Sequence, residues 1–96
     1  MSNDALASAP ALVRLPVLFA GLFPTAERVV ELDVGSVDEL FDALDGRWPG
    51  MRDRLCDSTP AIRRHINVFI DGKRAILDTP IRPGTDVFIV TAISGG

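Results

Sequence analysis

The last three residues, Ser94-Gly95-Gly96, carry the group best suited to chemistry in this chain, the α-carboxylate of Gly96. A free carboxylate does not acylate anything until one of its oxygens becomes a leaving group. The usual route is attack on a nucleotide phosphate, which makes a mixed anhydride. An enzyme that brings nucleotide and carboxylate together needs a slim, extended tail to enter its site. Glycine lacks Cβ and reaches backbone angles closed to other residues, so Gly95 gives the clearance that Gly96 requires. Ordering two flexible residues costs about 1–2 kcal/mol each, which backbone hydrogen bonds to a partner must offset. A glycine pair is a weak motif by itself, since loose chain ends carry it too. It gains weight only when a folded strand delivers it.

The other reactive side chains are poorer candidates. His65 has no Ser or Cys partner at catalytic spacing. Cys56 is the single cysteine, which excludes an internal disulfide and a Cys-rich metal site. It has the chemistry to hold a persulfide, but a lone cysteine ordinarily packs as a small hydrophobe. No metal-ligand spacing and no phosphate-cradling glycine loop is present, so no metal and no bound cofactor are expected. A net charge of −3 argues against nucleic acid as a partner, because phosphate neutralisation needs a basic surplus. Met1 to Pro10 holds Asp4 and no basic residue, unlike a secretory signal. The apolar run Leu15 to Pro24 is broken by two prolines and falls short of the roughly 20 residues that span a bilayer. No membrane segment is expected, and the cytoplasm is the expected compartment.

Ninety-six residues, 47% apolar and 24% charged, suit one soluble domain with a single core. Residues 1–11 read as a flexible N-terminal tail, 12–93 as the domain and 94–96 as a C-terminal tail. A first strand is predicted from Leu12 to Phe19, then a turn over Ala20 to Glu27 containing Gly21 and Pro24. Arg28 to Val34 alternates, with Val30, Leu32 and Val34 on one face and Glu31 and Asp33 on the other. Ser36 with Glu39 three residues on is a capping box. Val37, Leu40, Phe41 and Leu44 then give one helical stripe, with Gly46 near its end. Trp48-Pro49-Gly50 turns the chain, Met51 to Cys56 adds a helical turn, and Trp48 is placed to cover the helix end. Ile66, Val68 and Ile70 mark a third strand, closed by the tight turn Asp71-Gly72. Arg74 to Leu77 is expected to pair briefly, and Asp86 to Ile93 forms the last strand after Pro83-Gly84. This order predicts an α+β layer, a sheet of four to five strands with one main helix across one face.

Phe69 and Phe88 fall on the helix-free face if their strands alternate, an apolar patch of the kind that marks a partner site. Arg47, Arg52, Arg54, Arg63 and Arg64 make a locally basic stretch tempered by Asp45, Asp53 and Asp57, which reads first as a solvated face.

Several blocks of this sequence resemble the MoaD/ThiS family of ubiquitin-like sulfur carriers. They are Arg14-Leu15-Pro16, the run from Leu44-Asp45-Gly46 to Leu55, Arg64 to Gly72, Leu77 to Gly84, and the terminal Gly-Gly. The resemblance covers about Leu12 to Gly96. It departs in having Thr91-Ala92 where many relatives carry prolines, and in a shorter link from Gly72 to Leu77. It implies a β-grasp (ubiquitin-like) fold with a mixed sheet, whose first and last strands pair in parallel at the centre. It also implies a cycle in which the chain is a co-substrate and not an enzyme. A ubiquitin-activating-like adenylyltransferase would use ATP to adenylate Gly96. A persulfide or sulfurtransferase would then convert Gly96 to a thiocarboxylate. A pathway-specific acceptor, such as a molybdopterin synthase large subunit, would take the sulfur. Phe69, Phe88, Ile93 and Ser94 would contact these partners. Two other uses of the same fold stay open at this point: conjugation through Gly96 to other proteins, and a plain interaction module.

Overall fold

The computed structural model describes residues 9–91. Its first strand, β1 (Ala11–Arg14), buries Ala11 and Val13 and leaves Leu12 and Arg14 half-buried. The strand predicted to reach Phe19 stops at Arg14. Pro16 has no N–H to continue a ladder. Its carbonyl instead accepts from the Phe19 amide at 3.0 Å and leads into a short helix, α1 (Phe19–Leu22). The predicted turn over Ala20 to Glu27 therefore begins as helix. Ala11, assigned above to the flexible tail, is a buried sheet residue, and the Ala9 carbonyl accepts from the Gly84 amide at 3.1 Å. Residues 1–8 of that tail lie outside the described residues.

Strand β2 (Val29–Leu32) returns antiparallel to β1, with Val30 and Leu32 buried and Glu31 exposed as the alternation predicts. Helix α2 (Val37–Arg47) follows. The Ser36 hydroxyl accepts from the Glu39 amide at 3.2 Å, and the Glu39 carboxylate accepts from the Gly35 amide at 2.9 Å. The reciprocal bond thus falls one residue earlier than in the usual box; such caps contribute about 1 kcal/mol. Val37, Leu40, Phe41 and Leu44 are all fully buried. Gly46 stays inside the helix. The end comes at Trp48, whose N–H donates to the Leu44 carbonyl and whose ring is buried.

Gly50 adopts a φ of 96°, which reverses the chain into helix α3 (Met51–Leu55). Asp45 holds this corner, its carboxylate accepting from the amides of Gly50 (3.0 Å) and Arg52 (3.1 Å). Arg52 reaches back to Asp38 at 2.7 Å and Asp42 at 3.0 Å, joining α3 to α2. The hydrogen bond to Asp38 raises its guanidinium above the ordinary value. Arg52 therefore leaves the basic stretch and acts as an internal tie.

Strand β3 (Ile66–Ile70) and the two-residue β4 (Lys73–Arg74) are joined by Asp71 and Gly72, both with positive φ (52° and 82°), as a tight hairpin demands. The brief pairing predicted for Arg74 to Leu77 thus begins at Lys73 and ends at Arg74. Strand β5 (Asp86–Thr91) is last; the predicted continuation to Ile93 lies outside the described residues. The sheet order is β2-β1-β5-β3-β4, with β5 parallel to β1 and antiparallel to β3. Five strands with α2 as the main helix and two short ones beside it make the predicted β-grasp. Val13, Val68, Val87 and Ile89 from the sheet join Leu40, Phe41, Leu44, Met51 and Leu55 in one core cluster that also includes Cys56.

The loop after α3 closes on a carboxylate. Asp57 accepts from the amides of Thr59 (2.9 Å) and Ala61 (3.0 Å) and from the Thr59 hydroxyl. The Thr59 hydroxyl, first among these bonds, holds the Asp57 carboxyl below the usual carboxylate range. A depressed acid adds stability that is complete above its unfolded pKa and disappears as pH falls through the folded one. Asp57→Asn should therefore unfold at lower denaturant at about pH 7, with the deficit shrinking toward about pH 2. Urea titrations at the two pH values measure this, and an equal deficit at both would contradict it.

Candidate functional site

The site is the end of the sheet from which the C-terminal residues leave. Parallel pairing of Leu12 with Asp86, Val13 with Val87 and Arg14 with Phe88 ends β1 beside the middle of β5. The loop following β1 therefore flanks Ile89 to Thr91. A groove of about 380 Å³ lies there, lined by Arg14, Val17, Leu18, Arg28, Phe88 and Val90 among others.

Its apolar lining is exposed for a local reason. The turns begun at Pro16 bury Phe19, whose ring stands 5.7 Å from that of Phe23, and so direct Val17 and Leu18 outward. Val17 is 66% exposed, Leu18 59%, Phe88 41% and Val90 37%. Exposed aliphatic groups are ordinary when scattered; here they gather at one end of the sheet.

Of the residues singled out from sequence, Phe69 and Phe88 are direct partners across β3 and β5. Both stand on the face opposite the buried Val68, Val87 and Ile89, as expected; Phe69 is half-buried and Phe88 exposed. Pairing extends their row to Val29, Arg14 and Arg74, so two arginines bracket two aromatic rings. The Arg14 guanidinium lies 4.7 Å from the centre of the Phe88 ring and 3.4 Å from Asp86. An exposed cation–π contact is worth about 0.5–1 kcal/mol. Ile93, Ser94, Gly95 and Gly96 lie outside the described residues. Nothing in the local sequence marks Arg14, Val17, Leu18 or Arg28 as groove residues, because only the parallel register of β1 with β5 brings them together.

Among the described residues, no three His, Cys, Asp or Glu side chains are grouped to hold a metal ion. No helix among them is long and apolar enough to cross a membrane. His65 is exposed and Cys56 is buried, its thiol donating to the Asp57 carbonyl at 3.4 Å. Neither lies in the groove.

A mixed five-stranded sheet with its last strand central and a helix across one face defines a ubiquitin-like protein. The match to the ThiS family over residues 17–96 places this chain in that family of ubiquitin-like carriers and modifiers. Small archaeal modifier protein 1 of Haloferax volcanii is 32% identical over 83 residues, covering 82% of this chain and 95% of that protein. The crystal structure of that organism's SAMP1 superposes with a TM-score of 0.74 at 26% identity, over 92% of this chain and 100% of the other. A chain of the Amycolatopsis orientalis BexX/CysO complex gives a TM-score of 0.79 at 24% identity, over 90% of this chain and 99% of that one.

The exposure of the groove makes a direct test. Leu18→Asp is expected to change the unfolding free energy by no more than about 0.5 kcal/mol in urea denaturation. A loss above about 2 kcal/mol would place Leu18 in packed structure and remove it from the exposed lining of the groove.

Proposed function

We propose that this protein is a sulfur carrier whose Gly96 carboxylate is activated by a partner and loaded with sulfur. The observation that carries this reading is the position of β5, a central strand buried on one face, whose described residues reach Thr91 beside an exposed apolar and arginine-bearing groove. The five residues after Thr91 span at most about 17 Å. An enzyme that reaches the terminal carboxylate must therefore also meet the groove, with Arg14, Val17, Leu18, Phe88 and Phe69 within its footprint. Ile93 and Ser94 would lie in the mouth of its channel and Gly95 in the narrowest part.

In the proposed cycle a Gly96 carboxylate oxygen attacks the α-phosphorus of ATP on a ubiquitin-activating-like adenylyltransferase, and pyrophosphate leaves. The terminal sulfur of a persulfide donor then attacks the acyl carbon and AMP leaves. A thiol cleaves the resulting S–S bond, giving the Gly96 thiocarboxylate and an oxidised donor. On the acceptor enzyme the thiocarboxylate sulfur bonds to that enzyme's substrate, and water then cleaves the acyl–sulfur bond, which leaves the sulfur on the substrate and returns the Gly96 carboxylate; a molybdopterin synthase large subunit is the acceptor we favour. The chain binds no cofactor in this scheme, and ATP belongs to the partner. The cytoplasm is the proposed setting, as the compartment that holds ATP and reduced thiols.

The similarity to a protein named a small modifier supports a second reading, in which the activated Gly96 is joined to lysines of other proteins. Both readings need adenylation and differ in the nucleophile that follows.

Deleting Gly96 should leave the melting temperature unchanged and abolish ATP–pyrophosphate exchange by the host adenylyltransferase. Leu18→Asp should leave the fold intact and weaken that exchange about tenfold or more, the loss typical of a central interface contact. Exchange at the normal rate with the Gly96-deleted chain would refute the carrier reading and the modifier reading together. Isopeptide adducts in lysate, without thiocarboxylate, would select the modifier.

A further inference from the structure

A second cleft, of about 660 Å³, lies on the β3 side of β5 and shares no lining residue with the groove, although its Ile66 is the ladder partner of Thr91. Its origin is a gap in strand pairing. Strand β3 pairs with β5 along all five residues, but with β4 only at Phe69 and Ile70. One more bond follows, from the Ala75 amide to the Val68 carbonyl at 2.8 Å. The chain is then drawn off the sheet edge. The Leu77 and Thr79 carbonyls accept from the amides of Asp38 and Val37 at the start of α2. This diversion leaves the edge of β3 at Ile66 and Asn67 without a neighbouring strand on that side.

The walls of the gap have a definite chemistry. Buried Ile66, Val68 and Ala75 contribute its apolar floor, with Leu77 half-buried beside them. Arg63, Arg64 and Arg74 line it, in a protein whose net charge is −3. The Arg63 Nε donates to the Asp53 carbonyl at 2.6 Å, and Arg74 donates to the Asn67 side chain. Among the described residues, none of the three lies within 4.0 Å of a carboxylate; the ion pairs there use Arg14, Arg47 and Arg52. Two carboxylates also line the cleft, Asp38, which is bound to Arg52, and Asp78.

We infer that this cleft is a docking site for an extended segment of a partner protein that alternates acidic with aliphatic side chains. An extended chain fits a sheet edge left without its neighbour. Its aliphatic side chains would fill the floor, and its carboxylates would meet guanidinium forks suited to bidentate pairing. The chain's own last five residues, Ala92-Ile93-Ser94-Gly95-Gly96, carry a single carboxylate, at the terminus, and no acidic side chain to alternate with Ile93. The site is separate from the tail-end groove and stands or falls independently of the sulfur chemistry.

The probe is a blocked five-residue peptide alternating Glu with Leu, titrated into the full chain and followed by backbone amide shifts. The shifts should fall on Arg64, Asn67, Ala75 and Ile76. Binding should weaken about fivefold or more in Arg64→Glu, and again on raising the salt, as charge-guided docking requires. Arg64 is exposed, so this variant keeps its fold, and the milder Arg64→Gln should fall between. No shift at the limit of peptide solubility, an equal response to a Lys/Leu peptide, or shifts on the Phe88 face would overturn the proposal. Changes at the Ala75 and Ile76 amides on truncation after Thr91, without peptide, would assign the cleft to the chain's own tail and overturn it too; Arg64 and Asn67 do not serve here because Ile66, between them, pairs directly with Thr91.

Discussion

The parallel pairing of β1 with β5 is the constraint on which the rest of this structure depends. It puts the last strand in the middle of the sheet, held by β1 on one side and β3 on the other. Val87 and Ile89 on its inner face are buried against the helix layer. A parallel neighbour cannot be reached by a tight turn and requires a long crossover. The chain between β1 and β5 supplies it, and places α2 across the sheet to complete the core. A strand anchored on both edges and on one face makes a firm base for a short tail. Work done on the tail by a partner is then resisted by the whole domain.

The same pairing produces the groove. Because β1 and β5 run the same way, the loop leaving β1 must sit where the tail leaves β5. Pro16 stops β1 and bends that loop into α1, which turns Phe19 inward and Val17 and Leu18 outward. A fold requirement and a single proline together yield an apolar knob beside the last residues of β5. The cleft at the other sheet edge has a similar logic. There the need to cap α2 with the Leu77 and Thr79 carbonyls pulls the chain away from β3. Each surface is the by-product of a bond needed elsewhere.

Much of this was legible in the residues. The alternation in β2 and β3, the stripe from Val37 to Leu44 and the Ser36–Glu39 cap rest on local periodicity and local hydrogen bonds, and they hold. So does the placement of Phe69 and Phe88 on the helix-free face. The failures are of two kinds. Strand ends differ at Ala11 and Arg74, because pairing there is decided by the neighbour's backbone and not by the strand's own sequence, and at Arg14, where Pro16 ends a run whose apolar residues continue to Phe19. The roles of Asp45, Arg52 and Arg14 were hidden, because each depends on a contact across elements. Asp45 looked like one charge among several until the turn at Gly50 brought two amides to it. Ion pairs such as those of Arg52 leave no periodic signal.

In the proposed cycle the chain works by chemistry at the Gly96 carboxylate, with the domain as its handle. The most direct measurement is the intact mass of the protein purified from its native host without reducing or alkylating treatment. Fragmentation then locates any change. The account predicts a fraction in which one oxygen of Gly96 is replaced by sulfur. An unmodified mass that persists after incubation with ATP, a persulfide donor and the host adenylyltransferase would contradict it, and would leave the fold as a binding module whose tail does no chemistry.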